Sequence, residues 1–242
     1  MSVTASRIRS CMERLRRTPF HPQWLLGDFK KTANWVQRDA RGLVLDIGCA
    51  DRWMERHLSR ECEYVGVDYP ATGGRLYGAR PDVFADAASL PFPDASFDTV
   101  LLLEVLEHLR DPSGALAEIA RVLKPRGQLF LTLPFLYPVH DAPHDYQRYT
   151  CHGLLREMAE AGFLVDDLVE NLGSAESAGL LFNLALAGMM SKAIEDKRPS
   201  LVLFPFVAAL VPLVNAASWL LGRALPAWTA LTAGYRLKAI RP

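Results

Sequence analysis

The segment Leu43-Val44-Leu45-Asp46-Ile47-Gly48-Cys49, followed by Val65-Gly66-Val67-Asp68, constrains this chain more than any other feature. It reads as a short apolar strand, a glycine turn, a helix, and a second apolar strand with an acid at its tip. A turn of this kind lets backbone N–H groups approach a ligand. The acid at the second strand's end is placed to accept hydrogen bonds from ribose hydroxyls. The arrangement suits an adenosine-containing cofactor bound at the edge of an α/β sheet.

From Leu43 onward, apolar runs alternate with helical patterns, which predicts βαβ units and a parallel sheet. The strand candidates are Leu43–Ile47, Tyr64–Val67, Val83–Ala85, Thr99–Leu103, Gln128–Leu133, Leu164–Val169 and Tyr235–Ile240. Helices are expected over Asp51–Leu58, Pro112–Leu123 and His152–Ala161. Lys124-Pro125-Arg126-Gly127 reads as a helix stop and turn, and Gly162 as the end of the next helix. The 242 residues fit one domain with an insertion, and half of them are apolar, enough for a full core.

Lys and Arg number 27 and balance 27 Asp and Glu, so nothing in the charge points to nucleic acid. The four cysteines, Cys11, Cys49, Cys62 and Cys151, show no CxxC or Cys/His ligand spacing. They read as free thiols in a reducing, cytoplasmic compartment. Met1–Arg17 lacks the apolar core of a secretory signal. Its arginines 7, 9, 14, 16 and 17 interleave with Val3, Ile8, Met12 and Leu15 at roughly helical spacing. Two readings stay open for residues 1–40: a basic amphipathic helix at a membrane surface, or an ordinary helical cap over the cofactor site.

Asp46, Asp68 and Asp86 each end or follow a successive strand candidate. Asp86-Ala87 precedes Leu90-Pro91-Phe92 and Ser96-Phe97-Asp98; then come Leu103-Glu104-Val105-Leu106-Glu107-His108-Leu109 and Ala117-Glu118-Ile119-Ala120-Arg121-Val122-Leu123-Lys124-Pro125. In combination these motifs resemble class I S-adenosylmethionine-dependent methyltransferases of the type 11 branch, from about Leu43 to Phe163 and again at Gly234-Tyr235. The resemblance implies a seven-stranded Rossmann-like α/β sheet, with S-adenosylmethionine as cofactor. By the same resemblance, Asp46 and Gly48 shape the pocket for the methionine moiety. Asp68 binds ribose, Asp86 and the Ala87 backbone read adenine, and Glu104 lines the methionine end. Glu107-His108 is expected as a surface pair opening a helix. The chain departs from the family at Gly48-Cys49-Ala50-Asp51-Arg52, where Gly-x-Gly-x-Gly is usual. Arg52 then either pairs with the cofactor's carboxylate or weakens binding. A domain that binds cofactor without turnover is the alternative of a different class.

Pro134–Thr150 holds three prolines, two histidines, three tyrosines and an arginine in seventeen residues after the fifth strand. A sugar hydroxyl is a poor nucleophile and needs a base, and histidine suits that role. His140 and His144 are the candidates, with Asp141 or Asp145 orienting the ring. His140, Pro143, Asp145, Tyr146, Arg148 and Thr150 resemble a type 11 subgroup associated with bacterial surface-polysaccharide assembly. That resemblance implies a saccharide or lipid-linked acceptor bound by Tyr146 and Arg148. A structural Asp145–Arg148 ion pair and a Thr150 helix cap are the bland readings. The loop has no metal-ligand spacing, so no metal is expected. An isoprenoid quinone precursor is the alternative acceptor.

Residues 175–225 form an apolar helical insertion between the last two strands. Ser177–Ser191 is fifteen residues without charge, Lys192–Arg198 a charged break, and Pro199–Gly222 twenty-four more without charge. Either it meets a membrane surface, or it packs as a buried helix pair or dimer interface. Fifteen helical residues reach about 22 Å, short of a hydrocarbon core of about 30 Å. The expectation is therefore a monotopic insertion at the inner face that does not cross.

Overall fold

The computed structural model describes residues 15–27, 30–74 and 78–242. The N-terminal positions 3, 7, 8, 9, 12 and 14 named above lie outside the described residues. Chain contacts divide the protein into two compact units. The larger holds Phe29–Phe135, Val139–Val169 and Gly234–Pro242, and the smaller holds the N-terminal residues, Leu136–Pro138 and Glu170–Ala233.

The larger unit is an α/β sheet. Its strands are β1 (Leu43–Ile47), β2 (Glu63–Asp68), β3 (Val83–Phe84), β4 (Phe97–Leu103), β5 (Leu123–Pro134), β6 (Leu164–Glu170) and β7 (Gly234–Ile240), in the order β3-β2-β1-β4-β5-β7-β6. The pairs from β3 to β5 are parallel, while β7 runs antiparallel to β5. Every strand candidate is present. The order reverses beside β1, which opens the crevice where α/β sheets take ligands.

Period-two alternation sends neighbouring residues to opposite faces. Leu45, Val100, Leu102, Leu129 and Leu131 pack with Leu116 and Ile119 of α2 (Pro112–Val122) and Leu154 and Met158 of α3 (Cys151–Glu160). On the other face Val44, Leu101 and Phe130 meet Trp35 and Val36 of α1 (Lys30–Asp39). The Trp35 and Phe130 rings pack edge-on at 5.0 Å. Asp111 caps α2 by accepting from the Gly114 N–H, with Pro112 in the first turn. Lys124–Gly127 ends α2 as expected, yet belongs to β5, as a bulge that shifts the β4–β5 register. The expected helix at Asp51–Leu58 is instead a series of turns closing in the 3₁₀ turn Glu55–His57. Arg52 at φ 61° cannot start a right-handed helix there.

The smaller unit is built on two helices, α4 (Ser174–Glu195) and α5 (Phe204–Ala224), joined through a 3₁₀ stretch at Pro199–Leu203. Polar side chains are buried between them, beside the apolar Leu180, Ala193 and Val211. The buried positions include Ser177, Gly179 and Asn183 of α4 with Asn215 and Ser218 of α5. Asn183 donates to Asn215 Oδ1 at 2.9 Å, and Asn215 donates to the carbonyls of Pro19 and His21 at 2.6 and 3.0 Å. A Cβ at Gly179 would fall 2.1 Å from the Ser218 hydroxyl, so glycine there permits the close approach. Phe182, Met189, Phe206, Leu213 and Leu220 are exposed instead. The length argument against crossing needs correction. α4 runs past the uncharged stretch at both ends to 22 residues, about 33 Å, and Pro199–Ala224 covers 26. By length and composition both are long enough to cross a membrane.

Candidate active site

All the cofactor-side candidates stand at the carboxyl ends of the strands. Asp46 lies next to last in β1, and Asp68 ends β2. Asp86 follows β3, and Glu104 follows β4. Gly48 turns the chain at φ 76°, and a Cβ there would lie 2.4 Å from Val105 Cγ2. The two positions where glycine is missing, Ala50 and Arg52, adopt φ 45° and 61°. The loop thus keeps a glycine-type path with L-residues, at a cost of about 1–2 kcal/mol each. Arg52 helps to hold it, with its guanidinium 2.9 Å from Glu55 and 2.8 Å from Asp82 and 4.8 Å above the Tyr64 ring.

Asp46 is buried, and burial raises its pKa to about 7, although it accepts a 2.6 Å bond from the Tyr64 hydroxyl. Asp68 is also buried; desolvation raises its pKa, and it accepts from the N–H groups of Ala50 and Tyr69 at 3.0 and 2.8 Å. Asp86 is exposed and accepts from the Ala88 N–H, forming an Asx turn with Ala87 buried inside it. These acids, with the glycine-type loop, fit an adenosine cofactor with a charged amino-acid end.

The candidates expected on the acceptor side lie after β4 and β5. Leu106–His108 is a 3₁₀ turn after β4, and Glu107 is completely buried. It is not the surface pair expected from the sequence. The loop after β5 is clamped onto this turn. Tyr146 N–H donates to the Glu107 carbonyl at 2.9 Å, and the Gln147 side chain donates to the Leu106 and Leu109 carbonyls at 2.6 and 2.9 Å. That docking brings the His108 and His140 rings to 4.9 Å. Glu107 Oε1 lies 3.6 Å from His108 Nε2 and 3.9 Å from His140 Nε2. Neither Glu107 oxygen has a hydrogen-bond partner among the described residues. Burial, then the nearby Glu104 carboxylate, pushes its pKa well above the usual range.

Asp145 and Arg148 are paired at 2.7 Å, as the bland reading had it, and Thr150 caps α3 by accepting from Gly153 N–H. The pair is also part of the site, because His140 Nδ1 lies 3.3 Å from Asp145 Oδ2. Burial would raise Asp145, but the Arg148 bond and the His140 N–H outweigh it and bring the pKa to about 2. His144 sits apart from this focus: its ring meets the Tyr146 hydroxyl at 3.2 Å, and its carbonyl takes a 2.8 Å bond from His108. Tyr146 is 42% exposed and accepts from Arg110. The burial of Glu107 and its approach to His108 and His140 are what sequence reasoning missed. The absence of metal-ligand spacing was judged along one loop, whereas donors from two segments meet here. Glu107, His108 and His140 hold their ligating atoms within 4.8 Å of one another.

Residues 45–131 match the Methyltransf_11 family, a methyltransferase domain. A probable S-adenosylmethionine-dependent methyltransferase of Mycolicibacterium smegmatis is 34% identical over 148 residues, covering 57% of this chain and 56% of the relative. A ubiquinone biosynthesis O-methyltransferase of Hahella chejuensis is 33% identical over 99 residues, covering 37% and 42%. The 27-O-demethylrifamycin SV methyltransferase of Amycolatopsis mediterranei is 52% identical over 100 residues, covering 36% and 37%. The aligned part thus spans about half the length of these relatives, or less. The crystal structure of a putative methyltransferase from Bacillus halodurans superposes with a TM-score of 0.52 at 15% identity, covering 88% of this chain and 98% of that one, which establishes the shared fold. Over residues 45–131 the chain is thus similar to a methyltransferase domain, and its sheet has the fold of solved methyltransferase structures.

Proposed function

We propose that this protein methylates an oxygen atom of a saccharide or lipid-linked acceptor at a membrane surface. The observation that carries the reading is the convergence of Glu107, His108, His140, Asp145 and Arg148 at the carboxyl ends of β4 and β5. When bound, S-adenosylmethionine supplies an electrophilic methyl group on sulfur. Asp46 and Gly48 would hold its methionine end, Asp68 its ribose, and Asp86 with the Ala87 backbone its adenine; Glu104 lines the methionine end. The protein then has to orient the acceptor and provide for the loss of its proton. His140, turned by Asp145, is the acceptor-side residue of the loop. Arg148 and the half-exposed Tyr146 are placed to bind polar groups of a saccharide. His144 supports the site through its carbonyl.

The polar side chains buried between α4 and α5, with apolar ones exposed, support the membrane part of the reading. A helix pair with polar atoms inside and apolar side chains outside suits lipid. Five charged residues, Lys192, Glu195, Asp196, Lys197 and Arg198, cluster where the two helices join, so the pair lies along the interface without crossing.

Labelled S-adenosylmethionine incubated with the protein and bacterial lipid extract is the test, with the product identified by mass spectrometry. Label on oxygen of a saccharide-containing lipid is expected. Label on a quinone precursor would overturn that acceptor in favour of the second reading, which the ubiquinone-pathway relative favours. Cofactor binding without any product would favour a non-catalytic scaffold. Flotation with anionic vesicles, released by detergent more readily than by salt, is expected for the whole protein. A monodisperse monomer without detergent would refute membrane association. Cleavage of Lys192–Arg198 from the far side of a sealed vesicle would refute the non-crossing arrangement.

A further inference from the structure

We propose that Glu107, His108 and His140 bind one divalent first-row cation, of the Zn2+ or Mn2+ kind, which in turn takes the acceptor oxygen. The inference rests on the methyl-transfer reading above and deepens it.

Three observations carry it. The donor atoms are already gathered: Glu107 Oε1 lies 3.6 and 3.9 Å from the two Nε2 atoms. Ligand bonds of about 2.0–2.2 Å place neighbours in a tetrahedral shell about 3.4 Å apart, so the two Glu107 contacts need to close by only a few tenths of an ångström, while the three donors together span no more than 4.8 Å. At their present lengths these contacts are too long to be hydrogen bonds.

The second observation is Glu107 itself. Its side chain is fully buried, and both oxygens lack a hydrogen-bond partner among the described residues. Burying such a group without partners is costly. A cation would supply what the protein does not.

The third is the setting of the rings. His108 Nδ1 donates to the His144 carbonyl at 2.8 Å, which fixes the proton there and leaves Nε2 with its lone pair toward Glu107. His140 Nδ1 lies 3.3 Å from Asp145 Oδ2 and 3.5 Å from the Arg148 guanidinium, while Nε2 lies 3.9 Å from Glu107 Oε1. A metal-binding imidazole characteristically engages a carbonyl or carboxylate through its other nitrogen, as His108 does. Asp141 Oδ2, 4.0 Å from His108 Nε2, stands beside the same position. Two imidazoles and one carboxylate suit a borderline divalent metal, and they leave coordination positions for substrate.

The chemistry follows from that open position. A hydroxyl oxygen on the ion has a lowered pKa and loses its proton to solvent. Its lone pair forms the new C–O bond as the C–S bond breaks, and that electron pair stays on sulfur. The products are a methyl ether and S-adenosylhomocysteine, with no change of metal oxidation state.

The test uses the full, tag-free protein stripped with a chelator and titrated with Zn2+ or Mn2+ alone, by calorimetry and by Mn2+ paramagnetic resonance. One ion per chain at micromolar concentration is expected. Glu107→Gln and His140→Ala should each weaken uptake at least tenfold, while the exposed His152→Ala control does not. His140→Ala lies on the loop, so it covers the case in which Glu107→Gln does not fold. No saturable uptake below the millimolar range, or unchanged affinity in both variants, overturns the site. Methyl transfer undiminished by chelation overturns it too, while leaving the O-methylation reading intact. Specific uptake in a protein that methylates no oxygen acceptor refutes that reading and the acceptor role, but keeps the metal site.

Discussion

Asp46 is buried at the end of β1 and holds its proton up to about pH 7, whereas an unfolded carboxyl ionises near pH 4. Between those values the folded chain binds a proton that the unfolded chain has lost. The Asp46 contribution to stability therefore falls as pH rises through that window and is gone above about 7. Asp46→Asn keeps an oxygen for the Tyr64 hydroxyl and should make the slope shallower than in the parent, which thermal melts of both across pH 4–8 without cofactor will show. Asp68→Ala is expected to weaken S-adenosylmethionine at least tenfold with the fold intact, since a hydrogen bond to a charged group contributes about 1.5–3 kcal/mol. Calorimetry finding equal affinity would remove Asp68 from the site. At Gly48, alanine would combine an unfavourable φ of 76° with a 2.4 Å clash. A loss of about 2 kcal/mol or more in denaturant unfolding is expected. The positions of Asp46, Gly48 and Asp68 at the strand ends and turn were legible because each has a fixed place in the strand–turn–strand pattern. The burial of Glu107 was not, because only the docking of the Pro134–Thr150 loop creates the surroundings that bury it. The positive φ at Ala50 and Arg52 was equally hidden, as neither residue type announces a left-handed backbone.

Among the elements, the strands were readable to within a few residues because a covered sheet demands runs of Val, Leu and Ile. α4 and α5 were recognised as apolar, but neither their length nor their polar seam could be read. Asn183 and Asn215 are far apart in sequence and look like interruptions until the helices pair. Asn215→Ala removes the partner of three groups: the Asn183 amide and the Pro19 and His21 carbonyls. A cost of about 1–3 kcal/mol is expected, seen as faster hydrogen exchange in α4 and α5. Protection equal to the parent protein would show that the seam is held by shape alone.

For the whole molecule, the insertion should be separable from the sheet. Every residue of the two main core clusters lies outside Ala178–Gly222. Replacing that segment by a short turn should give a soluble protein that still binds cofactor, as fractionation and calorimetry will show. The place of β7 has a further consequence. It is made after the apolar helices, yet it fills the gap between β5 and β6. During synthesis the helices leave the ribosome while the sheet still has two unpaired edges where β7 will lie. On the membrane reading proposed above, the apolar segment meets its surroundings before the sheet can close. On that reading, delivery to the bilayer and completion of the sheet compete in time, and slowing translation after Ala224 should favour delivery.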